Sequence, residues 1–243
     1  MFKKFLILLI FIFFQNSNLY SSEFRYQVFG LNINFLKLKI NINKKKIYSI
    51  IVSEGLTGYF VNFKNIIQTS FDKKNNLNYY FNLQKNNEVK IYQFKKINNE
   101  INLKNVKLNK GKDYKNIKKI NLSRVVDPLS AAKLILFSNN LNSKCNIDQD
   151  IYDGDDVFNI YLTKKSKNYL FINYKNNRYK ILFSCRLRYK AVAGHKIKRE
   201  KKLNSRYLDV YFAKVNGKII PVYFETKLKL IPLKMYLSTV LKP

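Results

Sequence analysis

Cys145 and Cys185 stand 40 residues apart. In an oxidising compartment a pair at that spacing reads as a structural disulfide, whose loop closure is worth about 4 kcal/mol on the chain-entropy model. Two separate thiols are the alternative, and redox catalysis would call for a closer Cys-x-x-Cys pair. His195 is the sole imidazole and sits between Gly194 and Lys196. A general base needs a nucleophile and an orienting carboxylate. The sequence shows neither, so His195 is placed in an exposed basic turn. Asp148, Asp150, Asp153, Asp155 and Asp156 crowd one stretch of an otherwise basic chain. A calcium loop of the EF-hand kind requires Glu at its twelfth position; counted from Asp148 that position is Asn159. A turn with solvated carboxylates is therefore expected, with weak cation binding and pairing to surface lysines as alternatives. Paired catalytic carboxylates, a Gly-rich phosphate loop and a serine nucleophile elbow are all missing from the sequence. We therefore assign no catalytic residue, metal ligand or cofactor, and expect a protein that is not an enzyme.

The elements around these residues read mainly as strands. Residues 24–29 form a strand closed by Gly30. Leu31, Ile33 and Phe35 alternate with polar residues, then the phase slips to Leu36, Leu38, Ile40 and Ile42. Period 2 on both sides of a slip predicts a half-buried strand with a bulge at Phe35-Leu36. Residues 47–53 form the next strand. Leu56, Tyr59, Phe60, Phe63 and Ile67 follow a helical stripe, weakened by Gly58. Strands resume at 67–71, 77–83 and 88–94, and residues 95–120 hold a weak strand or two around long loops. Asp127-Pro128-Leu129-Ser130 opens a helix, with Asp as N-cap and Pro preset at the first helical position. The helix should run to about Ser138, with Leu129, Ala132, Leu136 and Ile135 as its apolar face. Later strands fall at 156–162, 169–174, 179–188, 207–215, 219–226 and 228–237, with hairpin turns at Asn176-Asn177 and Asn216-Gly217. Ten or more antiparallel strands with two short α-helices predict a mainly β fold, a curved sheet or open β-barrel. Aromatic residues alternating along strands, as at Tyr161 and in 207–212, pack a core or line a hydrophobic cavity.

Met1-Phe2-Lys3-Lys4 followed by ten apolar residues (5–14) and a polar stretch has the layout of a secretory signal peptide. Ten helical residues span about 15 Å, half of a bilayer core, so a cleaved leader is favoured over a retained anchor. Cleavage after Ser21 gives residues 1–21 as leader and 22–243 as a single domain in the periplasm. The net charge of +31 comes mostly from Lys and accompanies heavy Asn and Ile use. Arg is the residue suited to bidentate phosphate and base contacts, and an exported chain meets little nucleic acid. A compositional drift toward Lys, or attraction to an anionic membrane surface, accounts for the excess better than a nucleic-acid partner.

Several motifs occur in a known order: 126–130 (VDPLS) opening a helix, Cys145, Tyr152-Asp153-Gly154 leading into a strand, Cys185, Ala193-Gly194, and Ile220-Pro221-Val222. This order resembles the bacterial domain of unknown function 3108 (DUF3108), over essentially the whole mature chain. Asp127, Pro128, Leu129, Ser130, Asp153, Gly154, Gly194 and Pro221 carry the resemblance. It implies an antiparallel β domain in the envelope of a Gram-negative cell, and it brings no catalytic residues. The chain departs from the family after the Asp-Gly step, where Asp155-Asp156-Val157-Phe158 replaces Arg-rich text. The function expected is binding of an amphipathic small molecule or lipid, or a part in envelope biogenesis. The alternative is a scaffolding role on an anionic membrane or an acidic envelope protein.

Overall fold

The computed structural model describes residues 21–55, 58, 60–98, 100–102, 122–137, 145–166, 168–228 and 231–241. The leader read at the amino terminus, Leu56 and Tyr59 of the helical stripe, Ser138 and the loops of 103–121 lie outside these residues. No described helix is long and apolar enough to cross a membrane.

The chain builds one antiparallel sheet of fourteen described strands. Its first half is a meander: β1 (Ser22–Gly30), β2 (Ile33–Ile42), β3 (Lys46–Ser53), β4 (Phe63–Phe71), β5 (Leu77–Lys85), β6 (Glu88–Ile97) and β7 (Glu100–Asn102). The second half starts at the far edge with β8 (Asp148–Tyr152) and β9 (Val157–Lys165). It returns through β11 (Asn177–Ala193), β12 (Tyr207–Val215), β13 (Lys218–Leu228) and β14 (Ile231–Leu241) to pair with β1. The short β10 (Phe171–Tyr174) pairs only with β11. The helices α1 (Pro128–Leu136) and α2 (Glu200–Asn204) lie off the sheet.

Period-2 patterning sets the two faces. Phe24 and Tyr26 of β1, Ile40 and Ile42 of β2, and Ile47 of β3 point inward and are buried. Their neighbours Arg25, Gln27, Lys37 and Lys39 face out. The predicted bulge is present: Val28 pairs with Leu36 but Phe29 with Asn34, leaving Phe35 as the extra residue. Leu31, read as part of the strand, instead forms the β1–β2 turn with Asn32, both at positive φ. That twist matches a tight hairpin. The helical stripe read at 56–67 is helical at Gly58 and Phe60 but does not run on to 67. Phe63 and Ile67 belong to β4, whose backbone is paired on both sides by β3 and β5. From Phe63 on, two ladders outweigh the local helical periodicity.

α1 forms as its cap predicts. Leu129 N–H and Ser130 N–H donate to the Asp127 carboxylate at 2.9 and 3.1 Å. It lies inside the curl against β3, β4, β8 and β13. It buries Leu129, Ala131 and Leu136, so Ala131 takes the inward place expected of Ala132. Burying each leucine is worth about 1.5–3 kcal/mol. Leu129 and Leu136 join Phe24, Ile40, Phe212, Val222 and Phe224 in the main core. Described inward rings pack on one another, Phe24 against Phe137, Tyr26 against Phe224 and Phe183 against Phe212.

Candidate functional site

The sheet's two edges meet without a continuous ladder. Phe94 of β6 and Tyr152 of β8 pack with ring centroids 5.0 Å apart, and Tyr79 stacks on Phe94 at 4.7 Å. Lys96 donates to the carbonyls of Ser123 and Val125 at 2.6 and 2.8 Å, tying β6 to the segment before α1. Val126 makes a single parallel bridge to Ile151. Four residues of the sequence motif meet at this seam. Asp127 accepts from the buried Thr69 hydroxyl of β4. Burial, then the nearby charges of Asp153 and Asp127, push the Tyr79 hydroxyl well above its ordinary range. Asp153 accepts from the backbone N–H groups of Asp155 and Asp156 at 2.9 and 2.7 Å. Burial nevertheless raises its carboxyl to about 6. Gly154 turns at φ +96° directly against Tyr92, and Gly194 at φ +82° against Asp155 and Asp156. Pro221 is elsewhere, on β13, where its carbonyl accepts from the buried Tyr26 hydroxyl at 3.0 Å.

His195 is buried at this seam, a correction to the exposed turn expected for it. Its Nδ1 lies 3.0 Å from Asp156 Oδ2 and its Nε2 lies 3.0 Å from the Tyr189 hydroxyl and 3.2 Å from the Val157 carbonyl. The orienting carboxylate invisible in sequence is Asp156. Both ring nitrogens are engaged within the fold, and burial holds the Tyr189 hydroxyl in its protonated form. The acidic cluster is correspondingly less solvated than expected. Asp153 and Asp156 serve the seam, while the exposed Asp148 and Asp150 of β8 accept from Asn159 of β9. Among the described residues, no three His, Cys, Asp or Glu side chains are grouped to hold a metal ion. Cys145 and Cys185 form the expected disulfide, with Cα atoms 5.5 Å apart. It anchors the approach to β8 on the buried side of β11.

The outer face carries a second construction. The β10–β11 hairpin folds back across it as a strap. Tyr174 stacks on Tyr236 at 4.7 Å, and its hydroxyl donates to Gln27. Tyr169 packs edge-on against Tyr211 and donates to Glu225 at 3.1 Å. Beneath the strap Glu225 also accepts from Tyr211 and Tyr223, at 2.6 and 3.1 Å. Asp209 takes a two-pronged bond from Arg186 (2.7 and 2.9 Å) and one from Lys165 (2.6 Å).

Beside the strap tip lies a groove of about 540 Å³. Registry puts Gln27, Lys37 and Val52 in one row, and Arg25, Lys39 and Ile50 in the next. Ile50 and Val52 make an apolar floor. Arg25, Lys37, Lys39 and, from the strap, Lys175 make cationic walls, closed by Ser238 and Thr239 of β14. Glu23 holds Arg25 at 2.6 Å and Lys39 at 2.7 Å. Those contacts, the Lys39 hydrogen bond foremost, keep the Glu23 carboxyl below its ordinary range. Glu54 pairs with Lys37. Arg25, Lys37 and Lys39 are thus held in place on a surface where a free lysine would sample many rotamers. Sequence reasoning missed this groove because five separate segments supply it and lysine is common everywhere in the chain.

An open antiparallel sheet, curled round a helix and shut by side-chain packing, defines a β-barrel-like architecture. The same architecture is found in a beta-barrel-like protein of domain of unknown function DUF1849 from Brucella abortus. The two superpose with a TM-score of 0.51 over 93% of this chain and 98% of that one, at 7% sequence identity. No family model and no curated protein sequence matches the chain.

Proposed function

We propose that this is an exported, non-enzymatic protein of a Gram-negative envelope, related to DUF3108, that binds an anionic amphiphile in its outer groove. The observation that carries the reading is the pairing of an apolar floor with fixed cationic walls in one groove. An alkyl chain laid over Ile50 and Val52 would leave water, while its anionic end reached Lys39, Arg25 or Lys175. Such ligand sites combine apolar area with a few placed polar groups. Engagement of both His195 nitrogens supports a structural role for the one imidazole. The disulfide fits an oxidising compartment.

Protein purified from expressing cells, extracted with organic solvent and read by mass spectrometry, should release an anionic amphiphile. The Ile50→Asp/Lys175→Glu variant should release little, because it puts charge in the floor and reverses a wall. In titrations, dodecyl phosphate should bind the native groove and dodecyl maltoside should bind far more weakly. Equal loading of the two proteins, or equal binding of the two detergents, would overturn the reading.

A further inference from the structure

The two ends of the curled sheet differ in chemistry. One end presents the β2–β3 turn (43–45), the β4–β5 turn (72–76) and Asn216-Gly217, all polar, with only the strand-end residues Ile97 and Leu241 partly exposed among the described large apolar side chains beside them. Asp72 there accepts from the N–H groups of Lys74 and Asn76. At the opposite end the connections expose apolar side chains. Leu31 and Ile33 at the β1–β2 tip, Phe60 and Val61 before β4, and Ile231 opening β14 are all solvent-facing, Phe60 at 82% and Leu31 at 64%. They belong together in space. A Cβ on Gly30 would lie 3.6 Å from Ile231, and Gly55, at the start of the Phe60 connection, abuts the Asn34 backbone.

The same end is flanked by cations. The connection from β11 to β12, residues 196–206, holds six Lys and Arg against the single carboxylate of Glu200. Lys202 and Arg206 from that connection join Lys227, Tyr207 and Ile231 round a cavity of about 490 Å³. None of these three cations forms an ion pair among the described residues. The acidic turn at 153–156 shares this end but is folded against Tyr92 and His195 at the seam.

We infer that this end docks on an anionic lipid bilayer, with Lys202, Arg206 and Lys227 on headgroup phosphates and the hairpin tips 31–33 and 60–61, with Ile231, in the acyl boundary. Charge complementarity and the apolar fringe point to the same occupant. Phosphate alone would satisfy the cations and leave the fringe in water, and an uncharged apolar partner would strand the cations. The inference is independent of what the outer groove holds. A membrane-docked protein would be placed to exchange an amphiphile, but docking requires only this end.

The test is flotation of the protein with vesicles of phosphatidylglycerol and phosphatidylethanolamine, compared with phosphatidylcholine vesicles. Each cation at an anionic surface is worth about fivefold in affinity. Lys202→Glu/Arg206→Glu/Lys227→Glu should therefore lower binding to the anionic vesicles about a hundredfold or more. Leu31→Ser/Phe60→Ser should lower it about tenfold and leave little salt-resistant binding. The control Lys45→Glu/Lys73→Glu/Lys74→Glu changes net charge equally at the polar end and should cost only a fewfold. The amino-terminal apolar segment is common to every variant in one preparation, so differences between variants read the docking end. All substituted side chains are exposed, and circular dichroism checks each fold. Equal losses in the two charge-reversal variants would reduce the effect to overall charge and overturn the inference. So would unchanged binding in both fringe and cation variants, or a concentration-dependent dimer abolished by Leu31→Ser/Phe60→Ser. Groove variants should float normally, so failure of the groove reading and of this one are separable.

Discussion

Three glycine-to-alanine changes test the seam. Gly154, Gly194 and Gly217 all have positive φ, at +96°, +82° and +80°. An L side chain held there costs about 1–2 kcal/mol. Gly217, in the β12–β13 turn, has nothing within 4 Å of an added Cβ, so Gly217→Ala should cost only that backbone penalty. At Gly194 the same Cβ would meet Asp156 Oδ1 at 2.6 Å, the Asp155 carbonyl at 2.8 Å and Asp156 Cα at 2.9 Å. Two of those three atoms are backbone, and the third belongs to the carboxylate that holds His195. The turn must move, and overpacking of this kind adds about 1–3 kcal/mol. Gly194→Ala should therefore cost about 3 kcal/mol in all. Gly154→Ala should cost nearly as much, because its Cβ would sit 2.7 Å from Tyr92 Cβ. Urea unfolding followed by circular dichroism and tyrosine fluorescence gives the three values on one scale. If Gly194→Ala and Gly217→Ala agree within about 0.5 kcal/mol, the seam does not press on Gly194 as described.

Removing the disulfide with Cys145→Ser/Cys185→Ser should lower stability by about 4 kcal/mol in the same urea assay; a loss under about 1 kcal/mol would mean the reduced chain is already constrained. Asp209 and Asp153 should respond to pH with opposite signs. Burial alone would raise the Asp209 carboxyl, but its bonds from Arg186 and Lys165 outweigh burial and hold it low. Its stabilising contribution is present above the unfolded carboxyl's range and is lost as pH falls through the lowered folded value. Asp209→Asn should flatten the acid limb of a stability–pH curve and cost about 3 kcal/mol at pH 7. Asp153 is raised to about 6 by burial, so its penalty develops as pH climbs from the ordinary carboxylate range to that value and persists above it. Asp153→Asn keeps the Oδ1 acceptor for both turn amides and should gain about 1–2 kcal/mol at pH 7 and nothing at pH 3.

The strands were legible because most keep one wet and one dry face, which leaves a period of 2 in the sequence. The bulge at Phe35, the Asp127 cap and the strand at 207–215 could all be read locally. The end of the helical stripe at 56–67 could not, because Phe63 and Ile67 keep a helical spacing that two neighbouring ladders override. β8 was hidden. Its Asp148 and Asp150 look like turn residues, yet their carboxylates are exposed on the strand and accept from Asn159 of the neighbouring β9. His195 was misplaced because flanking Gly194 and Lys196 suggest a surface turn, while the partners that bury it come from positions 156, 157 and 189. The groove had no local signature at all. Its cations become distinctive only when register sets Ile50 and Val52 between them.

Amide chemical-shift mapping of the protein during titration with dodecyl phosphate addresses the binding claim most directly. Saturable shifts should centre on Gln27, Lys37, Lys39, Ile50, Val52 and Lys175, with the inward residues Leu129, Leu136 and Phe212 little changed. Shifts centred on α1 and the inner face, or small unsaturable shifts spread over all lysines, would contradict it.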